Sequence, residues 1–234
     1  MPRKPRMYIP DIPCHVMQRG NNREASFFAE QDYQFYLDCL YDASLRYGVS
    51  IHAYVLMTNH VHLLLTPRAK DSISLVMQSI GRRYVQYINK EYRRTGTLWE
   101  SCHKSSVVDA DHYLLTCTQY IELNPVRANM VKHPIEYRWS SFACNALGHV
   151  NKWVTPHPIY QTLGLKDKDS QKTYLALFDD EIDNKDLNLI RNAATFSMPT
   201  GDSLFKRQIE ATVNRKLGYM KRGRPAKVPT DECE

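Results

Sequence analysis

The sequence predicts an α+β protein in which one antiparallel sheet carries helices and a helical extension with a basic tail follows. The prediction rests first on the order of the hydrophobic patterns, because apolar residues switch several times between strand spacing and helical spacing. It rests also on size and composition. A chain of 234 residues, 43% of them hydrophobic and 11% aromatic, can bury one well-packed domain with a smaller appendage.

Seven segments of the first half carry these patterns. The predicted strands are residues 12–18, 49–57, 60–66 and 98–108, and the predicted helices are residues 31–46, 71–93 and 110–124. Gly48 and Gly96 end the first two helices, and a tight Thr58-Asn59 turn joins two strands as a hairpin. Because the first six elements run β-α-β-β-α-β, we expect the ferredoxin-like (split βαβ) plan, with two helices on one face of the sheet and the other face available for a site.

The third predicted helix lies outside this minimal plan. Asp109 is a suitable N-cap for it, and Pro125 is expected to end it, because the residue before a proline disfavours helical geometry. A helical segment at residues 134–146 and a mixed-charge helical region to about residue 191 are expected to follow.

A proline-containing break near residue 155 indicates a change of organisation. We therefore divide the chain near residue 150. The predicted parts are a basic N-terminal arm at residues 1–8, a main domain at residues 9–150, and a helical C-terminal region at residues 151–234 with a basic tail.

The net charge of +6 is concentrated at the two ends of the chain. Between residues 206 and 227, eight basic residues stand against Glu210 alone, and Arg3, Lys4 and Arg6 form a second cluster. Such clusters are typical of proteins that bind a polyanion, and nucleic acid is the first candidate. A solvated basic tail without a specific partner is the alternative that charge alone leaves open.

Other classes of protein are disfavoured. No apolar run approaches the roughly 20 residues that a membrane-spanning helix needs, and the N-terminus leads into no hydrophobic signal core. We therefore expect a cytoplasmic protein without a membrane partner. The six cysteines contain no C-x-x-C pair, which indicates reduced thiols rather than a disulfide framework or a structural zinc site.

The most informative segment is the strand that begins His60-Val61-His62. Successive side chains of a strand point to opposite faces, so His60 and His62 leave the same face while Val61 points into the core. Two neighbouring imidazoles form half of a metal site. The alternative is a pair of partly buried, hydrogen-bonded histidines.

The third helix supplies two further candidates, Tyr120 and Asn124, whose i, i+4 spacing places them on one helical face. With His60 and His62 as nitrogen ligands and the Asn124 amide oxygen as a third, a divalent cation would keep open positions for a phosphodiester. Tyr120 could then attack phosphorus and form a phosphotyrosine. Taken singly, Tyr120 reads equally well as a core residue and Asn124 as a helix end.

Three stretches of the sequence carry a family resemblance. They are His15-Val16-Met17-Gln18-Arg19-Gly20-Asn21-Asn22-Arg23, the segment from Ala53 through His62, and Tyr120-Ile121-Glu122-Leu123-Asn124-Pro125-Val126-Arg127-Ala128 with the following Tyr137-Arg138-Trp139-Ser140-Ser141. Together they resemble the single-tyrosine HUH transposases, and most of all the REP-associated tyrosine transposases. The resemblance extends more loosely to the basic tail.

The resemblance implies a transposase that cuts and rejoins single-stranded DNA at hairpin-forming repeats with Mg²⁺ or Mn²⁺. It makes residues 9–150 the catalytic domain, His60 and His62 the HUH metal ligands, Asn124 the third ligand and Tyr120 the nucleophile. The sequence leaves both a monomer and a homodimer open.

The resemblance further places the turn at residues 19–23 near the DNA, with Arg19, Asn21 and Arg23 as candidate contacts. Two departures from the family pattern are Gln119, where an arginine is common, and Cys102-His103, in a strand that is commonly more basic. Both remove candidate phosphate contacts.

The basic tail contains Lys221-Arg222-Gly223-Arg224-Pro225, which has the core of an AT-hook. Arg222 and Arg224 would be drawn to the narrow minor groove of A·T-rich duplex, and Gly223 would let the backbone lie deep in it. Ahead of this motif, an amphipathic helix is predicted from the spacing of Leu204, Ile209, Val213 and Leu217. We interpret residues 200–227 as an accessory DNA-binding module, with a flexible basic end as the alternative.

Two other functions share part of this pattern. A domesticated, non-catalytic DNA-binding protein would keep the fold and the tail, but it would not need His60, His62, Tyr120 and Asn124 together. A metal-dependent hydrolase that activates water would need a further carboxylate or histidine, and Glu122 is expected to point away from Tyr120 on its helix.

Overall fold

The computed structural model describes residues 6–217. Its centre is a four-stranded antiparallel sheet whose strands are β1 (Cys14–Arg19), β2 (Val49–Met57), β3 (His60–Pro67) and β4 (Lys104–Val107). Helix α1 (Glu30–Tyr47) connects β1 to β2, and helix α2 (Ser72–Glu91) connects β3 to β4. The strand order β2-β3-β1-β4 is that of the split βαβ plan, so the predicted fold class is confirmed.

Helices α1 and α2 pack on one face of the sheet, as predicted. Their buried side chains, including Leu40 and Ile80, meet strand residues such as Val16 and Leu63 in one large apolar cluster. Asp32 adds a polar link between the two helices. Its fully buried carboxylate accepts hydrogen bonds from the hydroxyls of Tyr87 and Tyr92, both at 2.9 Å.

The opposite face of the sheet is covered by helix α3 (Ala110–Glu122). Leu114, Cys117 and Ile121 of α3 pack against Val55 and Leu64 of the sheet, because both elements present an apolar stripe there. The site that the split βαβ plan leaves room for therefore lies between the sheet and this helix. A short helix, α4 (Asn124–Arg127), continues directly from α3.

Two predicted boundaries differ from the structure. The segment 98–108 is a strand only over Lys104–Val107, because Trp99 pairs singly with Gly20 and Leu98 accepts a hydrogen bond from the Asn21 N–H. The segment 134–146 is not one helix. It contains a 3-10 turn at Pro134–Glu136, an extended pairing of Ser140 with Val55 at the edge of β2, and then α5 (Phe142–Leu147).

The C-terminal region is helical, as predicted. Its helices are α6 (Pro158–Gln161), α7 (Asp167–Ala176), α8 (Asn184–Phe196) and α9 (Ser203–Thr212). The chain returns to the sheet after α8, where Thr200 pairs with Val108. In and after α9, Ile209 and Leu217 reach the main core while Leu204 is 55% exposed, so the predicted amphipathic pattern is realised only in part. The boundary near residue 150 falls in an irregular segment between α5 and α6 and stays a prediction.

Two expectations about composition can be compared with residues 6–217. Their five cysteines form no disulfide with one another, and three of them are buried. No helix in this part of the chain is long and apolar enough to cross a membrane.

Glu122, at the end of α3, joins the helices that surround the site. Its carboxylate is fully buried and accepts hydrogen bonds from the Ser141 hydroxyl at 2.5 Å, the Asn145 amide at 2.8 Å and the Tyr174 hydroxyl at 2.7 Å. Two of these donors belong to α5 and its N-cap and the third to α7, so one acidic group fixes α3 relative to α5 and α7. Burial raises the pKa of Glu122 to about 7, although the three donors lower it.

The raised pKa of Glu122 predicts a pH-dependent stability. A carboxyl whose folded-state pKa lies above its unfolded value stabilises the fold fully below the unfolded pKa, and this contribution is lost as the pH rises towards about 7. From pH 5 to pH 8 the wild type should lose this contribution and Glu122→Gln should not. The free energy of unfolding of Glu122→Gln minus that of wild type should therefore increase by about 2 to 3 kcal/mol. Urea denaturation at both pH values measures it.

The exposed Glu136 offers a matched control. Glu136→Gln should follow wild type across the same pH range. If the free energies of unfolding of wild type and Glu122→Gln changed in parallel with pH, the raised pKa of this carboxyl would be contradicted.

Candidate active site

The pairing of β1 with β3 determines which side chains share the face beneath α3. Arg19 lies opposite His60, and His15 lies opposite Leu64, the residue two positions beyond His62. Directly opposite residues of antiparallel strands point to the same face. The two predicted ligands therefore share their face with a second strand's histidine and arginine.

His60 and His62 lie side by side at this face. Their ring centroids are 5.1 Å apart and the rings are nearly perpendicular, at 86°. His62 is buried and His60 is partly exposed, while Val61 between them is fully buried in the opposite core layer. The strand alternation inferred from the sequence thus holds at these positions.

The Nδ1 atom of each of the two imidazoles forms a hydrogen bond. His60 Nδ1 lies 2.7 Å from Asn59 Oδ1, and because a carboxamide oxygen can only accept, His60 donates through Nδ1. His62 Nδ1 lies 2.8 Å from Nε2 of the fully buried His15. If His62 donates to His15 through Nδ1, as His60 donates to Asn59, the Nε2 lone pairs of both rings remain for a metal.

The charge state of these histidines also suits metal binding. Burial lowers the pKa of His15 and of His60 to about 4, with Arg19 contributing at His60. Burial lowers the pKa of His62 well below its ordinary value, and the neighbouring histidines, Arg127 and Arg19 act in the same direction. All three imidazoles are neutral at pH 7, which is the form that binds metal ions.

Helix α3 places the Tyr120 ring directly over the histidines. The buried ring makes edge contacts with His15 and His62, each at 5.8 Å between centroids. Arg127 also contacts this ring, with its guanidinium carbon 4.4 Å from the ring centroid. The predicted nucleophile is thus next to one of the predicted metal ligands.

Asn124 is oriented by the proline that follows it. Pro125 has no N–H to donate to the Ile121 carbonyl, and the Asn124 side-chain Nδ2 donates there instead at 3.2 Å and to the Tyr120 carbonyl at 2.9 Å. The amide nitrogen is therefore engaged in hydrogen bonds, and Oδ1 is the side-chain atom that could bind a metal. Asn124 begins α4 rather than ending a helix, and its role as a metal ligand stays a prediction.

Pro125 does not end the helix, which corrects the prediction from the sequence. The Arg127 N–H donates to the Leu123 carbonyl and the Ala128 N–H to the Asn124 carbonyl, both at 2.9 Å. Proline is tolerated in the first turn of a helix, and Pro125 occupies that place in α4. As a result Tyr120, Asn124 and Arg127 stand at i, i+4 and i+7, along one stripe.

The donor atoms fit a divalent cation with open coordination positions. Within residues 6–217, no group of three or more His, Cys, Asp or Glu side chains is arranged to hold a metal ion by itself. Two neutral imidazoles of His60 and His62 with one amide oxygen of Asn124 would leave the remaining positions to water or a phosphate. Mixed nitrogen and oxygen donors of this kind suit Mn²⁺, and also Mg²⁺ at lower affinity.

The predicted DNA contacts lie in and beside the turn that follows β1. Arg19 is on the site face, and Asn21–Arg23 form a 3-10 turn held against the hairpin by a 2.8 Å hydrogen bond from Asn59 Nδ2 to the Arg23 carbonyl. Gly20 permits this close approach, since a Cβ there would lie 2.3 Å from the Glu24 carbonyl oxygen. Arg222, Gly223 and Arg224 lie outside the described residues and stay predictions.

The two departures from the family pattern have structural roles. Gln119 Nε2 donates to the Leu177 carbonyl at 2.5 Å and to the Asp180 carbonyl at 3.2 Å, which ties α3 to the loop after α7. His103 pairs with the Tyr8 hydroxyl at 2.5 Å.

Sequence reasoning missed the part played by three residues of the site. His15, Lys104 and Arg127 were assigned no role, although His15 and Arg127 belong to the quoted motifs. Lys104 lies opposite Met17, and Met17 lies opposite His62, so the lysine shares the face of the site. The strand register, which would have revealed His15 and Lys104, could not be read from the sequence.

Comparison with known proteins adds three findings. Residues 9–124 match the family model described as "Transposase IS200 like". A REP-associated tyrosine transposase bound to a REP hairpin has a similar structure, with a TM-score of 0.56 and 18% identity over 67% of this chain and 93% of that one. A Deinococcus radiodurans protein proposed to be a transposase is 25% identical over 52% of this chain and 96% of its own, with a TM-score of 0.37. A search of curated proteins gave no match.

The structural similarity at 18% identity supports the fold, and the family match carries the assignment. That match includes the His60-Val61-His62 strand, Tyr120 and Asn124. The resemblance stated from the sequence is therefore confirmed: through residues 9–124 this chain belongs to the IS200-like transposase family.

Proposed function

We propose that the protein cuts single-stranded DNA through Tyr120, with a divalent metal held by His60, His62 and Asn124, and rejoins the strands in transposition. The observation that carries the proposal is the contact between the Tyr120 ring and the His62 ring, 5.8 Å between centroids. A tyrosine in that position can reach a phosphate bound at the histidines. The transposase family of the chain supports the same chemistry.

Each residue around the proposed metal has a separate part in this mechanism. His60 and His62 present Nε2, and Asn59 and His15 hold their rings in that orientation through Nδ1. Asn124 presents Oδ1. The metal, Mg²⁺ or Mn²⁺, would polarise the phosphodiester and offset charge in the transition state.

The covalent step is a transesterification. The Tyr120 oxygen loses its proton and bonds to phosphorus, the bond from phosphorus to the 3′ oxygen breaks, and that oxygen leaves as a 3′-hydroxyl after taking up a proton. The product is a 5′-phosphotyrosine. Because the ester bond is retained, a second 3′-hydroxyl can displace Tyr120 and join strands without ATP.

We propose hairpin-forming repeats as the substrate. The support is the structural relative that is described as bound to a REP hairpin. In this protein, Arg19, Asn21 and Arg23 lie beside the turn between β2 and β3, which carries Asn59. We propose that they contact the DNA backbone. The tail residues Arg222, Gly223 and Arg224 would contact A·T-rich duplex next to the hairpin.

The first prediction concerns the nucleophile. Tyr120→Phe should form no covalent adduct while it binds DNA within about threefold of wild type, because the ring packing is kept and only the hydroxyl is lost. The measurement uses 5′- and 3′-labelled single-stranded hairpin oligonucleotides from the DNA flanking the gene, with Mn²⁺ or EDTA, on denaturing protein gels. A metal-dependent band should carry the label located 3′ of the cut.

Tyr113, on the same helix, is the matched control, and Tyr113→Phe should form the adduct at the wild-type rate. Adduct formation by Tyr120→Phe would refute the assignment of the nucleophile. DNA binding by the wild type without an adduct on any flanking repeat would favour the non-catalytic, domesticated alternative.

The second prediction concerns the orientation of His62. His15→Leu removes the acceptor for His62 Nδ1, so the affinity for Mn²⁺ should fall by about 10- to 100-fold. Isothermal titration of the free protein with Mn²⁺ measures this without any DNA.

His52 provides the control, because it is a buried histidine of β2 whose two nitrogens bond to the Thr155 carbonyl and the Thr66 hydroxyl. His52→Leu should cost stability but leave Mn²⁺ affinity unchanged in the folded protein. Equal Mn²⁺ affinities for wild type and His15→Leu would show that His15 does not orient the ligand.

A further inference from the structure

Arg127 is the one cation that lies directly on the Tyr120 ring in the described part of the chain. Its guanidinium carbon is 4.4 Å from the ring centroid. Its Nη1 atom is buried and has no hydrogen-bond partner among residues 6–217. A buried guanidinium nitrogen without an acceptor is costly, because the group has lost water and gained nothing in exchange.

No described carboxylate neutralises this charge. Glu122, five residues earlier on the same helical segment, is occupied by Ser141, Asn145 and Tyr174. Arg127 takes part in none of the ion pairs among residues 6–217. The site therefore holds an uncompensated positive charge next to the nucleophile.

Arg138 shows what an arginine in a purely structural cation–π contact looks like in the same protein. Its guanidinium carbon lies 4.8 Å from the Trp139 ring centroid, and its Nη1 donates to Glu30 at 3.0 Å. Its side chain is 68% exposed. Arg127 shares the ring contact, but it has no carboxylate partner among residues 6–217 and its Nη1 atom is shielded from solvent, so it keeps a donor for an anion where Arg138 already bonds to Glu30.

We propose that Arg127 is a catalytic residue that binds a non-bridging oxygen of the scissile phosphate while it holds the Tyr120 ring in place. This inference rests on the proposed function. Guanidinium groups bind phosphate through paired N–H donors and remain protonated, so Arg127 transfers no proton in the step. It offsets charge on the phosphate oxygens while the Tyr120 oxygen bonds to phosphorus and the 3′ oxygen leaves.

The position of Arg127 also explains why it would act at the reacting phosphate rather than elsewhere on the DNA. Tyr120, Asn124 and Arg127 follow one another at i, i+4 and i+7, so nucleophile, third metal ligand and guanidinium share one helical stripe. Arg19 and Lys104 approach the same face from β1 and β4. They would contact flanking phosphates.

The test separates charge from packing. Arg127→Met keeps an unbranched side chain over the ring but removes the charge, and we expect adduct formation to slow by about 10²- to 10³-fold. Arg127→Lys should recover part of the rate. Arg138→Met removes another stacked arginine and should leave the rate within threefold of wild type.

A binding measurement gives a readout that a packing role would not change. At the linkage that the wild type cuts, the phosphate is replaced by an uncharged methylphosphonate, and affinities are compared for Tyr120→Phe and for Tyr120→Phe with Arg127→Met. The replacement should weaken binding by about tenfold or more in the first protein and have little effect in the second, because the partner of the lost charge is already absent.

The outcomes distinguish this inference from the proposed function. Adduct formation by Arg127→Met within threefold of wild type, or equal methylphosphonate effects in the two proteins, would overturn the role of Arg127 and leave Tyr120 as the nucleophile. Absence of any adduct with wild type would overturn the proposed function and this inference with it. If Arg127→Met does not fold, the rate of Arg127→Lys and the methylphosphonate comparison made with Arg127→Lys decide the question.

Discussion

The site depends on the burial of two polar strand residues beneath helix α3. His62 and His15 are almost completely removed from water, which would be unfavourable for imidazoles unless they were neutral and hydrogen bonded. Burial lowers both pKa values, which keeps the rings neutral, and the two rings bond to each other, while His15 Nδ1 has no partner among residues 6–217. The apolar contacts of α3 with Val55 and Leu64 keep the helix in place over them. In our proposal, packing of the core therefore also orients the metal ligands.

A few residues at the end of α3 both position the helix and surround Tyr120. Glu122 anchors the helix to α5 and α7 through three hydrogen bonds. Asn124 replaces the N–H that Pro125 lacks, and the helical turn continues to Arg127. A Glu-x-Asn-Pro-x-Arg pattern thus fixes the direction of the nucleophile helix and leaves an amide oxygen and a guanidinium near Tyr120. The same residues serve folding and, in our proposal, chemistry.

Much of the fold could be predicted from the sequence, because its signals are local. Alternation in β2 and β3 placed both strands of the hairpin within a residue of their observed bounds, and it put His60 and His62 on one face. Tyr120 is combined with these histidines on chemical grounds, and the family resemblance implies the same roles. Pro125 was wrongly expected to end the helix, because a proline in a first helical turn looks the same in sequence as one that follows a last turn.

What could not be predicted depends on strand register and on long-range packing. His15 meets His62 because β1 pairs with β3 in one particular register, 47 residues apart in the chain. Arg127 became informative only when its ring contact and its unpartnered nitrogen were visible. Glu122 was correctly expected to point away from Tyr120, but its three donors come from segments that no local pattern connects to it.

The most direct test of the account is to identify the residue that carries DNA. After reaction of the wild-type protein with a hairpin oligonucleotide and Mn²⁺, nuclease trimming and protease digestion, mass spectrometry would locate the remaining nucleotide on a peptide. The account predicts a 5′-phosphonucleotide on Tyr120 alone, dependent on metal. Attachment to another of the 15 tyrosines, or cleavage that leaves no nucleotide on the protein, would contradict it.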